Sequence, residues 1–143
     1  MAKQIFVNLP VKDLNRAVGF FTDLGFTFNP QFTDENATCM VIGENIYAML
    51  LVEDFFKGFI PGKEIAVASK FTEVFVALSA DSREEVDRIV SSAVSAGGSE
   101  YREATDYGWM YGRAFQDLDG HIWEILYMEE SKMPEEMKEK ARK

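Results

Sequence analysis

Along residues 4–11, QIFVNLPV, the side chains alternate, with Ile5, Val7, Leu9 and Val11 on one side and Phe6, Asn8 and Pro10 on the other. A period of two with one apolar row predicts a strand that lays one face on a core. Pro10 places it at an edge or an end. The period then changes. In DLNRAVGFFTDLGF, Leu14, Val18, Phe21 and Leu24 recur at helical spacing. Asp13 can cap that helix through its carboxylate, and Gly25 can stop it in a left-handed conformation. Three short apolar stretches follow, around 26–32, 37–42 and 46–52, separated by Asp34-Glu35-Asn36 and Gly43-Glu44-Asn45.

The second half repeats the order. Residues 73–80, EVFVALSA, put Val74, Val76 and Leu78 on one side and Glu73, Phe75 and Ala77 on the other. Asp81 stands as the cap of a second helix, with Glu84 at capping-box distance. Val86, Ile89, Val90, Ala93 and Val94 make its stripe, and Gly97-Gly98 ends it. Strands are predicted over 99–103, 110–116 and 122–128. Both halves therefore read β-α-β-β-β, a repeat of element order and not of residue identity. Aligned by eye, Phe6 matches Glu73 and Ala48 matches Glu124.

The expected class is α+β: two βαβββ modules forming an open, mostly antiparallel, barrel-like cleft with the helices outside. We divide a single domain, 1–143, into module one (4–52), a linker or lid (53–72), module two (73–128) and a charged tail (129–143). The linker carries Phe55, Phe56, Phe59 and Ile60, too aromatic for a solvated tether. It either covers the cleft or packs at a subunit contact. The tail reads as a solvated or frayed end, although Pro134 sits where a helix can start.

Composition narrows the partners. The chain has 143 residues and a formal net charge of −9. That balance opposes binding to nucleic-acid backbone or to an anionic membrane surface. The longest apolar run, Ile46 to Val52, cannot span a bilayer. The N-terminus lacks a signal-peptide pattern, and the single cysteine, Cys39, cannot form an intramolecular disulfide. A cytoplasmic protein is the expectation, as is a homodimer, because open sheet edges need covering.

FVNLPVKDLNRAVGFFTDLGF and YGRAFQDLDGHIWEILYM resemble the vicinal oxygen chelate superfamily, the group of glyoxalase I, bleomycin resistance proteins and extradiol dioxygenases. The resemblance spans residues 4–128. It implies a cleft with four inward-facing positions, usually His or Glu, which we place at Phe6, Ala48, Glu73 and Glu124. Phe6 and Ala48 cannot ligate. Glu73 and Glu124 remain as metal ligands or as a catalytic base and acid. Ni, Zn, Mn or Mg is the metal class the resemblance implies, yet catalytic Zn-type sites use three or more protein ligands with histidine prominent. His121 stands three residues before Glu124, on the opposite face of a strand, and is a poor co-ligand.

No cofactor is therefore the first expectation. Paired carboxylates in an apolar cleft can share a proton, bind a cationic ligand, or be neutralised by a neighbour, for which Arg113 is the candidate. Phe6, Asn8, Phe75, Trp109, Tyr111 and Arg113 are the expected ligand-binding wall, with Phe55, Phe56 and Phe59 as its cover. The leading function is metal-independent binding or sequestration of a small molecule, as in bleomycin resistance proteins. The alternatives are a metal-dependent lyase, isomerase or dioxygenase resembling lactoylglutathione lyase or the extradiol enzymes, and a structural domain whose cleft is filled.

Overall fold

The computed structural model describes residues 1–141. The chain divides into two compact units: residues 1–73 together with the turn 117–121, and residues 74–116 together with 122 onward.

In the first unit, β1 (Ile5–Val11) leads to α1 (Leu14–Asp23), then β2 (Thr27–Asn29), β3 (Ala37–Gly43) and β4 (Ile46–Val52). The sheet order is β1-β4-β3-β2. The β1–β4 pair is parallel and the other two are antiparallel. Asp13 caps α1 by accepting from the Arg16 amide, 3.1 Å, and Gly25 follows the helix with a φ of 105°. Ala17, Phe20, Phe21 and Leu24 form its buried stripe, and α1 packs on β4. Each such aromatic or leucine contributes roughly 1.5–3 kcal/mol by its burial.

Register decides which residues share a face, because side chains of paired strand residues point the same way. Val7 pairs with Ala48 and Leu9 with Leu50, whereas Phe6 pairs with Tyr47 and Asn8 with Met49. Ala48 and Leu50 are buried, as is Met40 opposite Ala48. Phe6 and Asn8 are exposed on the other face. Phe6 and Ala48 therefore point to opposite sides of the sheet, and the two positions cannot converge. Ala48 packs into the core.

In the second unit, β5 (Val76–Ser79) leads to α3 (Arg83–Ser95), β6 (Ser99–Asp106), β7 (Met110–Gln116) and β8 (Ile122–Met128). The order β5-β8-β7-β6 repeats that of the first sheet, again with one parallel pair, β5–β8. Each sheet is open and mixed, and neither closes into a barrel. The α3 cap is Ser82, whose Oγ accepts from the Glu85 amide at 3.0 Å, one residue later than the expected Asp81–Glu84 pair. Val86, Ile89, Val90 and Ala93 of α3 are buried, as are Phe115, Trp123 and Ile125 on the sheet. The strand begins at Val76, so Glu73 precedes it and is exposed. Ala48 lies on the buried face of its sheet and Glu124 on the face opposite Trp123 and Ile125, so Ala48 with Glu124 is not an equivalent pair, and Glu73, outside β5, has no strand position to match Phe6.

The linker starts as a short helix, α2 (Glu53–Lys57), and continues in turns. The tail is not a frayed end over its described part. A helix, α4 (Glu135–Ala141), starts just after Pro134, whose carbonyl accepts from the Met137 amide at 3.0 Å. Residues 142 and 143 of that tail lie outside the described residues.

Candidate functional site

Glu124 is the carboxylate in the middle of β8. Its neighbours on that strand, Trp123 and Ile125, are buried on the side that α3 covers. Alternation turns Glu124 to the opposite face. Across the sheet it pairs with Ala77 on β5 and Ala114 on β7. Gly112 stands close beside it: a Cβ there would lie 4.0 Å from the Glu124 carboxyl carbon.

The cation that meets this carboxylate is Arg102 of β6, whose Nη2 donates to Glu124 Oε2. The register explains the reach, since Arg102 pairs with Ala114 and Ala114 with Glu124, all on one face. The glutamate side chain keeps 19% of its accessible surface. Arg102 Nη1 is buried without a hydrogen-bond partner among the described residues. A buried guanidinium N–H left unmatched costs more than a neutral one, so this atom calls for an acceptor.

Arg113, the partner expected for Glu124, does something else. It pairs with Ile125 and so points to the α3 side. There its Nε donates to Glu100 at 2.8 Å and its Nη1 to Asp87 of α3 at 2.9 Å. Tyr111 shares that side and donates its hydroxyl to Asp87 at 2.6 Å. The tyrosine hydroxyl, together with Arg113, holds the Asp87 carboxyl below the usual carboxylate range, and the same bond raises the Tyr111 hydroxyl. Arg83 stacks over the Tyr111 ring at 4.3 Å and pairs with Asp106. Tyr111 and Arg113 thus brace α3 against β7, away from the Glu124 face.

The remaining expected residues are dispersed. Phe6 stacks on Tyr47 with ring centroids 4.9 Å apart, and Asn8 stands on the same face, its amide donating to the Phe6 carbonyl at 3.3 Å. Phe55 and Phe59 meet edge to face at 5.2 Å and are exposed, while Phe56 is half-buried. Phe75 is exposed just ahead of β5. Trp109, before β7, stacks against Tyr107 at 6.5 Å.

DLDGH has a local task. The buried Asp117 accepts from the Asp119 amide at 2.9 Å and the His121 amide at 3.0 Å. Asp119 Oδ1 accepts from the Lys12 amide at 2.9 Å. The His121 ring lies 2.7 Å from the Pro10 carbonyl. A carbonyl only accepts, so Nε2 carries the proton in that bond. The turn is thereby fixed to the end of β1.

Beside this turn the first unit contains a cavity of about 500 Å3, lined by the end of β1, the linker and the turn. No pattern in the sequence announced it, because its walls come from segments more than forty positions apart.

A divalent metal is implied by the resemblance, and the donors can be tested for fit. Around Glu124 its sheet offers Ala77, Ala114, Gly112 and a cation already bound to the carboxylate. Among the described residues no three His, Cys, Asp or Glu side chains form a group able to hold a metal ion. The described residues do not fit a metal centre.

The paired βαβββ units, each with an open mixed sheet and a helix on one face, define an α+β fold of the glyoxalase type. The sequence profile of the bleomycin resistance protein-like N-terminal family matches residues 3–43. Hypothetical protein SA1046 from S. aureus is 31% identical, with a TM-score of 0.74 over 89% of this chain and 95% of that one. A glyoxalase/bleomycin resistance protein/dioxygenase family enzyme from Burkholderia phytofirmans PsJN shares 14% identity, TM-score 0.72, over 86% and 96%. The fosfomycin resistance protein FosX from Listeria monocytogenes shares 18%, TM-score 0.63, over 89% and 93%. No curated protein matches the sequence. The chain belongs to the vicinal oxygen chelate superfamily, the glyoxalase/bleomycin resistance/dioxygenase group. No helix of the described residues is long and apolar enough to cross a membrane.

Proposed function

We propose that the protein binds or sequesters a small molecule without a metal, using the face of the second sheet that carries Glu124. One observation carries this reading: the Glu124 carboxylate, the acidic residue best placed to ligate, is already bound by Arg102. An ion pair of this kind competes with metal ligation and offers no imidazole in exchange. The pair favours a ligand with hydrogen-bonding groups over a simple cation. Arg102 Nη1 is a buried donor without a hydrogen-bond partner among the described residues, and small residues, Ala77, Ala114 and Gly112, flank the carboxylate on the sheet.

The protein acts in this reading as a homodimer. Ile5 and Ile46 are 56% and 43% exposed and pair in register at one end of the first sheet, on the face opposite the Phe6–Tyr47 stack. Exposed apolar pairs at one sheet end suit a second copy better than water. Sedimentation equilibrium tests it: a concentration-independent monomer contradicts the dimer.

A thermal-shift panel of small aromatic compounds bearing acceptor groups tests the ligand reading. A ligand at about a hundred times its Kd adds roughly 2.7 kcal/mol of stability. The shift is expected in wild type and lost in Arg102→Met. Methylglyoxal–thiol turnover that is abolished by chelator and by Glu124→Gln would instead establish the metal-dependent lyase.

A further inference from the structure

A cavity in the first unit lies outside everything assigned above. Its volume, about 500 Å3, is within the range of small-molecule sites. Its walls are held in place by contacts the sequence does not advertise. Asp119 accepts from the Lys12 amide, and His121 holds the Pro10 carbonyl. On the linker side the packing is closer still. A Cβ on Gly120 would lie 2.8 Å from the Ser69 amide nitrogen and 2.9 Å from its Cα. The linker backbone therefore rests directly on the turn, and the cavity floor is preformed.

The lining has three chemical parts. Residues 65–68, Ile-Ala-Val-Ala, and Pro10 give an apolar strip. Lys12 and Lys63 bring positive charge, and Glu53 and Glu64 bring negative charge. None of these four takes part in an ion pair among the described residues. The third lysine, Lys57, is already 3.7 Å from Asp54, and Asp119 is engaged by the Lys12 amide. A simple anion placed here would gain the lysines but meet the glutamates. A simple cation would meet the reverse. Only a ligand carrying both signs satisfies both pairs, since like-charge contacts inside a site cost affinity and opposite ones guide placement.

We propose that this cavity is a second ligand site, and that it takes a small zwitterion with an apolar body, of dipeptide size. The site shares no lining residue with the Glu124 face and does not depend on the function proposed for it.

The test is an NMR titration of the 15N-labelled full chain with leucyl-alanine, with its N-acetyl form and with its C-terminal amide. The expected result is a saturable shift of the amides of Lys12, residues 65–68 and His121 by the free dipeptide. Each blocked form should bind about two- to fivefold more weakly, the scale of one exposed charge contact. Lys63→Ala and Glu64→Ala should each weaken the free dipeptide by a similar factor. Both residues are exposed and lie outside every helix and strand, so the fold is retained. Absence of saturable shifts overturns the proposal. So do equal affinities for the free and blocked forms, indifference to Lys63→Ala, or shifts confined to β8.

Discussion

Glu124 accepts its hydrogen bond from Arg102, two strands away on β6, while Arg113 on the adjacent β7 points to the other side of the sheet. The pair is partly buried, with side-chain exposures of 19% for the glutamate and 37% for the arginine. Its worth falls between an exposed pair, about 0.2–1 kcal/mol, and a fully buried pair broken on one side, about 3–5 kcal/mol.

Arg102→Met should therefore cost about 1–2 kcal/mol, read as a lower urea midpoint at pH 7. Combining it with Glu124→Met should cost less than the sum of the two single changes, because no charge is then left without a partner. Additive losses would mean that the two side chains are not coupled.

Gly120→Ala should be among the most damaging single changes in the first unit. The residue has a φ of 93° and no room for a Cβ beside Ser69. A left-handed non-glycine costs roughly 1–2 kcal/mol and overpacking about 1–3 more. Gly62→Ala is the control: its φ is 81°, but nothing lies within 4 Å of the added carbon. Thermal unfolding should show the Gly120 variant much less stable than the Gly62 variant, and equal losses would contradict the close packing of linker on turn.

Much of the fold was legible. Strands 46–52, 110–116 and 122–128 have the bounds that alternation and turn residues predicted, because these are local signals. Asp13 as cap and Gly25 as stop were equally local. The site was less so. Which residues share a face depends on pairing register between distant strands, and a shift of one residue reverses every side chain. Aligning Ala48 with Glu124 made that error, since Ala48 lies on the buried face of its sheet and Glu124 on the face away from α3. Choosing Arg113 over Arg102 made it again, by taking the nearest cation in sequence for the nearest in space. The cavity left no periodic trace.

Asp87 makes stability depend on acid. Its folded pKa is lowered, first by the Tyr111 hydroxyl and then by Arg113. The stabilisation is present above the unfolded value of about 3.9 and is lost as pH falls through the folded value. Because the side chain is half exposed, screening limits the size of the effect. Asp87→Asn should narrow the gap between urea midpoints measured near neutrality and in acid. The opposite sign holds for Tyr111, whose folded pKa is raised by the bond to Asp87. Its contribution is complete below about pH 10 and disappears as pH rises through the folded value, so Tyr111→Phe should flatten the alkaline limb.

Cys39 is buried, and burial pushes its thiol up. Since the thiolate is the reactive form, native protein should react with an aromatic disulfide reagent far more slowly than urea-unfolded protein. Equal rates would place the thiol at the surface.

In the proposed function Glu124 serves a ligand face and not a metal. The most direct measurement is elemental analysis of untagged protein after loading with Ni2+, Zn2+, Mn2+ and Mg2+, with Glu124→Gln and Glu73→Gln alongside wild type. Far less than one metal per chain is expected in all three proteins. Near-stoichiometric metal in wild type, lost in Glu124→Gln, would contradict it.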